Sequence, residues 1–424
     1  MYKLTINKKS TLCAIVILLQ LILMQTSILC PNIGGAIYPL IYYMKYIGTA
    51  VLLTYILSTP RKKADTLEIK RYVRLFLPWI CICVIIEFVA LITSPVFLTY
   101  KMSYVSRCVA QVLDKACILI MVGCIWIIKK EQAIEFITNV FLTNEVILFV
   151  VKTMKVGITR MLLPLISGFG LQDAMESPLE VHEITYCLGF CLIYYLYFKP
   201  RKQVLDWVKV IMMIIFILLG GKRMALLGIL LSGAFCFFVH KKGLQKISLG
   251  IVGEGVCLIA LLYIYILYNG DFFAELMSFN VNSMGRDVIY NYFISRTEFT
   301  PKFFGYGISA VSKMIENWTR ADVGNMVNVR GLHNDVLKIY IDLGFWGLLS
   351  WIGFHFVALP IQFFNTYGKK IATLYMALSI YAFITYMTDN TEGYFVFQVT
   401  MFVFVLGFYS VSQVKLCLKK EESE

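Results

Sequence analysis

The sequence lacks the short signatures by which many enzymes are recognised. No Walker motif, no G-x-G-x-x-G and no H-E-x-x-H occurs, which removes P-loops, dinucleotide folds and the commonest zinc proteases. Twelve cysteines are present, but none form a C-x-x-C pair and no Cys/His cluster has zinc spacing. Most of them, including Cys81, Cys117, Cys187 and Cys236, sit within apolar segments, where a thiol packs as a small apolar residue. No internal repeat and no low-complexity segment appears. The N-terminal "MYKLTINKKSTLCAIVILLQLILMQTSILCP" has a basic start and an apolar run but no small-x-small cleavage site, and Leu29 before Cys30 speaks against lipoprotein-type cleavage. An uncleaved first helix is expected there.

What is abundant is apolar surface. The chain has 424 residues and is 59% hydrophobic. Apolar runs of roughly 20 residues, the length a helix needs to cross a bilayer, recur throughout. An all-α polytopic membrane protein follows. Twelve spans are expected, near 11–30, 36–58, 75–95, 106–128, 134–152, 182–198, 205–220, 224–239, 247–268, 334–361, 371–388 and 393–412. The seventh and eighth are short and joined by a tight "GGKR" turn.

The net charge is +13. The Lys and Arg residues cluster in short loops between apolar runs, which marks topology and anionic-lipid contact rather than nucleic-acid binding. With the N-terminus inside, the expected inner loops hold most of them, as in Arg61, Lys62, Lys63, Lys70, Arg71 and Arg74. The short outer loops hold few, among them Lys101, Arg107, Lys152 and Lys155. Both termini are then cytoplasmic. Residues 1–268 carry spans one to nine, 269–333 form a large extracytoplasmic loop, and 334–424 carry the last three spans and a tail. Within the loop, Ser283 is expected to cap a short helix starting near Gly285, and Gly305 and Gly307 mark a turn. The first outer loop, "PNIGG", has no acidic pair, which argues against metal-dependent sugar transferases that use one there.

Three constellations carry candidate chemistry. "GGKRMALLG" (220–228) places Lys222 and Arg223 at the outer ends of two short helices. The planar Arg fork suits phosphate, and a helix N-terminus adds N–H donors; the plain alternative is a cation snorkelling to lipid headgroups. "NVRGLHNDVLKIYIDLGFWG" (328–347) places His333, Asn334 and Asp335 at the entrance of an apolar helix, with Asp335, Lys338 and Asp342 on one face. Lys338 and Asp342 can neutralise each other, whereas His333 has no easy sequence partner and a pKa range suited to proton transfer. The third is a scatter of polar residues on the same outer face: Arg160, Glu180, His182, Glu183, Arg286, Asp389 and Asn390. Their convergence suggests an outward-facing site with basic residues for an anion and a histidine for proton work. Lys45, Glu87, Asp114 and Lys115 lie within spans and read as helix-to-helix pairings.

"RGLHNDVLKIYIDLGFWGLL" resembles the O-antigen ligase and polymerase superfamily, including Wzy-type polysaccharide polymerases. Those proteins carry an outer loop ending in His-Asn-x-x-Leu, then an acidic residue and two glycines in the next helix, matched here by His333, Asn334, Leu337, Asp342, Gly344 and Gly347. "GRDVIYNYFISR…PKFFGYGIS" is similar to the family's Gly-Arg helix and G-x-G turn, "GGKRM" to its small-residue-Arg element, and "TDN" (388–390) to a late element of polymerases. The resemblance spans roughly 220–390. His182 and Glu183 stand where an Asn-containing element is common, so the role of that region stays open.

The resemblance implies a GT-C-like glycosyltransferase architecture in the cell (inner) membrane, without metal or cofactor. It implies transfer of a glycan on undecaprenyl diphosphate to a new lipid-linked repeat unit. Arg223 and Arg286 would hold the diphosphate and His333 would act on the acceptor hydroxyl. Lys222, Arg330, Arg160, Asn334, Asp335 and Asp389 would line the substrate. Expected partners are the lipid-linked glycan, membrane lipids, and the pathway's chain-length regulator and flippase. The alternatives are a ligase of the same fold or a flippase or other transporter. Transporters usually show related halves, and none are visible here.

Overall fold

The computed structural model describes residues 11–17, 19, 21, 31–58, 63–166, 182–200, 202–242, 246–270, 275, 285–329 and 331–421. Among them there are helices and turns and no strands. The helix bounds track the apolar runs closely, as in Val204–Leu219, Lys246–Asn269 and Lys369–Tyr386. Four described helical segments are long and apolar enough to cross a membrane: Met102–Val156, Lys246–Asn269, Asp335–Tyr367 and Phe395–Gln413. A fifth arises if Lys63–Arg74 and Leu77–Ala90, which meet at a 41° bend, count as one span.

The shortfall from twelve has local causes. Tyr43–Leu57, Glu183–Phe198 and Arg223–Val239 are apolar helices of only 10–17 residues. The expected fourth and fifth spans form one run, broken only by a tight turn at Lys130–Gln132. Much of the expected first span lies outside the described residues, as does Ser283; the N-cap of the Arg286–Ile294 helix is Gly285 itself, at φ 79°.

The Phe395–Glu421 helix is the hub. It packs on Met102–Lys129, Ala133–Val156, His182–Ile193 and Lys369–Tyr386, and its apolar stretch is 83% buried. Helices toward the outside present large apolar faces instead, interrupted on Lys246–Asn269 by exposed Glu254. Val84, Ile85, Phe88 and Ile92 are exposed on Leu77–Thr93, and Ile247, Ile251, Leu258 and Leu262 on Lys246–Asn269. Such faces are costly in water and stable in lipid. With the apolar spans, they indicate a multi-pass membrane protein.

Two close approaches position the functional end. Gly189 and Gly228 bracket the Tyr381 ring: a Cβ at either would lie 2.2 Å or 2.8 Å from it. The Tyr381 hydroxyl donates to the Tyr186 carbonyl at 2.7 Å. Helices His182–Ile193 and Arg223–Lys242 are thereby locked to Lys369–Tyr386. The second approach is at Gly344, where the Asp335–Ile352 helix breaks (φ 74°, ψ −174°). The break frees backbone groups that would orphan in an apolar core. Segment 303–307 takes them up: Tyr306 and Gly307 N–H donate to the Ile341 and Asp342 carbonyls (2.9 and 2.7 Å), and Phe345 N–H donates to Phe303 O (2.9 Å). The expected turn at Gly305 and Gly307 is this plug.

Candidate active site

The site forms where the chain enters the Asp335–Ile352 helix. Asn334 is the N-cap, its Oδ1 accepting from Leu337 N–H at 3.0 Å. Its amide donates to the Tyr263 hydroxyl (2.7 Å), which donates to Met387 O (2.9 Å). Asp335 accepts from the Glu392 N–H at 2.6 Å. Both side chains are buried and spent on the protein, so here they position the turn.

His333, just before the cap, holds a left-handed backbone (φ 54°) that a non-glycine residue adopts at a cost. Three contacts enforce it. Its N–H donates to Asn390 Oδ1 (2.8 Å), its carbonyl accepts from the Tyr290 hydroxyl (3.1 Å), and its Nδ1 lies 3.2 Å from Asp389 Oδ1. The side chain keeps 31% exposure, against 3% for Asp389.

Asp389 gathers donors from four parts of the chain. Oδ1 accepts from Asn390 N–H (2.8 Å) and the Tyr394 hydroxyl (3.2 Å). Oδ2 accepts from the Tyr186 hydroxyl (3.1 Å) and faces Lys222 Nζ at 3.9 Å. The Asp389 carboxylate, an acceptor at 3.2 Å, lies nearer His333 Nδ1 than the Asn390 amide nitrogen at 3.5 Å, which assigns the proton to Nδ1 and leaves Nε2 with its lone pair.

Cations complete the rim. Lys222 follows the turn at Gly221 (φ 67°), with its ammonium 5.4 Å from the Tyr186 ring centre. Lys222 is the member of "GGKR" that reaches Asp389, and Arg223 begins the next helix with an exposed side chain. Arg286 opens the Arg286–Ile294 helix and acts electrostatically on Tyr186, Tyr263 and Tyr290. Burial pushes the Tyr290 hydroxyl up to about 12, with Arg286 opposing.

Around this centre the charges interlock. Lys115 pairs with the Glu392 carboxylate across the bundle. Burial raises the Glu392 pKa, yet Lys115 and then Lys338 outweigh it and hold the group below its ordinary value. Lys338 and Asp342 do pair, at 2.8 Å. The pair is also a dock, because Asp342 Oδ1 accepts from Val311 N–H at 2.8 Å. Glu87 holds the same loop through Ile308 N–H (2.8 Å). Lys45 and Asp114 bridge two helices at 2.7 Å, as expected.

Of the residues singled out in the sequence, His333, Asp389, Asn390, Lys222, Asn334 and Asp335 come together, with Arg286 within electrostatic reach. Arg160 is exposed on the Ile158–Ile166 helix, and no ion pair joins it to this cluster among the described residues. Arg330 and Glu180, and the side chain of His182, lie outside the described residues. The tyrosines 186, 263, 290 and 394 were not anticipated. Tyr394, five residues past Asp389 in "DNTEGY", was the one within reach of a local motif.

Residues 208–352 match the family model described as O-antigen ligase. This is consistent with the O-antigen ligase and polymerase superfamily. No curated protein matches the chain.

Proposed function

We propose that this membrane protein, a glycan transferase of the O-antigen ligase/polymerase type, polymerises oligosaccharide repeat units carried on undecaprenyl diphosphate. The proposal places the site at the outer face of the cell membrane, with twelve spans and both termini inside, in a GT-C-like arrangement. The observation that carries it is the His333–Asp389 pair, ringed by Lys222 and Arg286 at the mouth of a membrane helix.

The chemistry follows from that geometry. The acceptor hydroxyl oxygen attacks the anomeric carbon of the donor glycan. Its proton passes to His333 Nε2, while Asp389 steadies the imidazolium through Nδ1. The bond from the anomeric carbon to the diphosphate breaks, and the lipid diphosphate leaves with the electron pair. Lys222, Arg223 and Arg286 meet the charge growing on it. Residues 389–390 thus bring "TDN" into direct contact with the histidine, which favours the polymerase reading. A ligase of the same fold is the second reading, favoured by the match of residues 208–352 to the O-antigen ligase family model.

The test is His333→Ala in cells that make the polymer, at matched protein level. The expected result is loss of polymer with single repeat units remaining on the lipid. Normal chain length would refute the site. Purified protein offered lipid-linked repeat units or a lipid A-core acceptor separates polymerase from ligase.

A further inference from the structure

The helical run that starts at the site continues from Asp335 to Tyr367, 33 residues, which is roughly 50 Å of helix at 1.5 Å per residue. Its far end therefore lies across the apolar layer from His333. There, Gln362 forms one wall of a cleft of about 440 Å³, lined also by Leu67, Lys70, Arg71, Arg74 and Leu75. That volume is within the ~300–1,000 Å³ of small-ligand sites.

The cleft is prebuilt. Leu67, Lys70, Arg71 and Arg74 fall at i, i+3, i+4 and i+7, on one face of the Lys63–Arg74 helix. The other face is anchored. Tyr72 is buried against Phe76 and Phe402, with ring centres 5.2 and 6.3 Å away. Lys130 holds Asp65 at 2.6 Å. Arg71 is matched by Glu68 at 2.8 Å, whereas Lys70 and Arg74 enter no ion pair among the described residues. Gln362 Oε1 is buried without a donor. The cleft thus offers two unmatched cations, an acceptor and an exposed leucine, beside the 41° bend into an apolar helix.

We propose that this cleft binds the headgroup of an anionic glycerophospholipid, on the membrane face opposite the glycan site. The phosphate sits between Lys70 and Arg74, a headgroup hydroxyl donates to Gln362 as its amide turns out of the wall where its oxygen is buried, and the acyl chain starts along Leu67. Phosphatidylglycerol supplies all three features; free phosphate supplies the first alone. The inference rests on the membrane placement of the chain and not on its glycan chemistry.

The full-length protein is purified, delipidated and placed in phosphatidylcholine nanodiscs containing a minor fraction of phosphatidylglycerol. Retained lipid is measured by native mass spectrometry. K70Q/R74Q is expected to bind phosphatidylglycerol roughly 30-fold more weakly, about fivefold per cation, while K63Q, on the same helix outside the cleft, matches wild type. Equal retention by K70Q/R74Q and wild type would overturn the proposal. So would equal retention of phosphatidylcholine and phosphatidylglycerol. Displacement of the lipid by millimolar inorganic phosphate would also overturn it, reassigning the cleft to a free anion. None of these outcomes depends on polymerising activity.

Discussion

Asp389→Asn tests the centre of the site with almost no change of shape. Asparagine keeps an oxygen to accept from Asn390 N–H and from His333 Nδ1, now at 2.8 and 3.2 Å. What disappears is the negative charge beside the imidazole when it takes up a proton, together with the acceptor for the Tyr186 hydroxyl and the counter-charge of Lys222. Unit charges about 4 Å apart interact by roughly 4 kcal/mol at an effective dielectric near 20, which corresponds to about 10³ in rate. His333 keeps 31% exposure, so screening reduces this. The expected loss in turnover is about 10²–10³, within the usual range for general-base catalysis. The assay is formation of dimeric and longer glycan from purified lipid-linked repeat units, resolved as a ladder. Donor binding by the variant is expected to stay within about twofold, because the cations remain. Turnover within about threefold of wild type, at equal folded protein, would refute the assignment of Asp389 as partner of the base.

Gly344→Ala places a Cβ 2.3 Å from the Phe304 carbonyl carbon, at φ 74°. Left-handed strain and overpacking together are expected to cost about 2–5 kcal/mol, read as a lowered Tm in detergent; an unchanged Tm would contradict the plug at 303–307. Lys222→Gln is expected to lower turnover at least tenfold because its ammonium faces the buried Asp389, and Arg223→Gln is expected to lower turnover less and, because Arg223 is exposed, also to weaken the salt dependence of donor KM; steady-state kinetics at two ionic strengths separate them. The depressed Glu392 carboxyl contributes stability that is present above its ordinary value of 4.5 and lost as pH falls through its lower folded value. Lys115→Met removes one cause of that depression, so acid unfolding of the variant begins at higher pH; coincident acid-unfolding profiles would count against the pair.

The helices were legible because an apolar run of fixed length is a local property. The run read as 247–268 is the helix Lys246–Asn269, and the "GGKR" turn is where glycine allows it. The His333–Asp389 pair was legible only as two polar residues at one expected face. Their contact joins positions 56 apart. Lys115 and Glu392 are 277 apart, and nothing near either names the other. Tyrosine is equally at home in a core and at a site, so Tyr186 and Tyr394 carried no signal until Asp389 gave them an acceptor. Gly344 was legible only as a match to the family pattern. In an apolar stretch a glycine reads as a tolerated helix residue, and the break shows itself only through the loop that fills it.

The polar entrance of the Asp335–Ile352 helix also answers which of its groups are left for chemistry. Asn334, Asp335 and Asp342 are exposed by 2% or less, and each satisfies backbone N–H groups that the helix start, the 389–392 turn and the 303–311 loop would otherwise leave orphaned. To act on a sugar hydroxyl, Asp335 would have to abandon the Glu392 N–H and leave it buried and unpaired, at about 1–3 kcal/mol. His333 has no such debt. Its backbone N–H and carbonyl are bound, its Nδ1 faces Asp389, and its ring stays accessible. The same contacts that fix the strained backbone at φ 54° therefore hold a partly exposed ring whose Nε2 takes no hydrogen bond among the described residues. Under the proposed mechanism the buried acids are then the scaffold and the histidine the reagent.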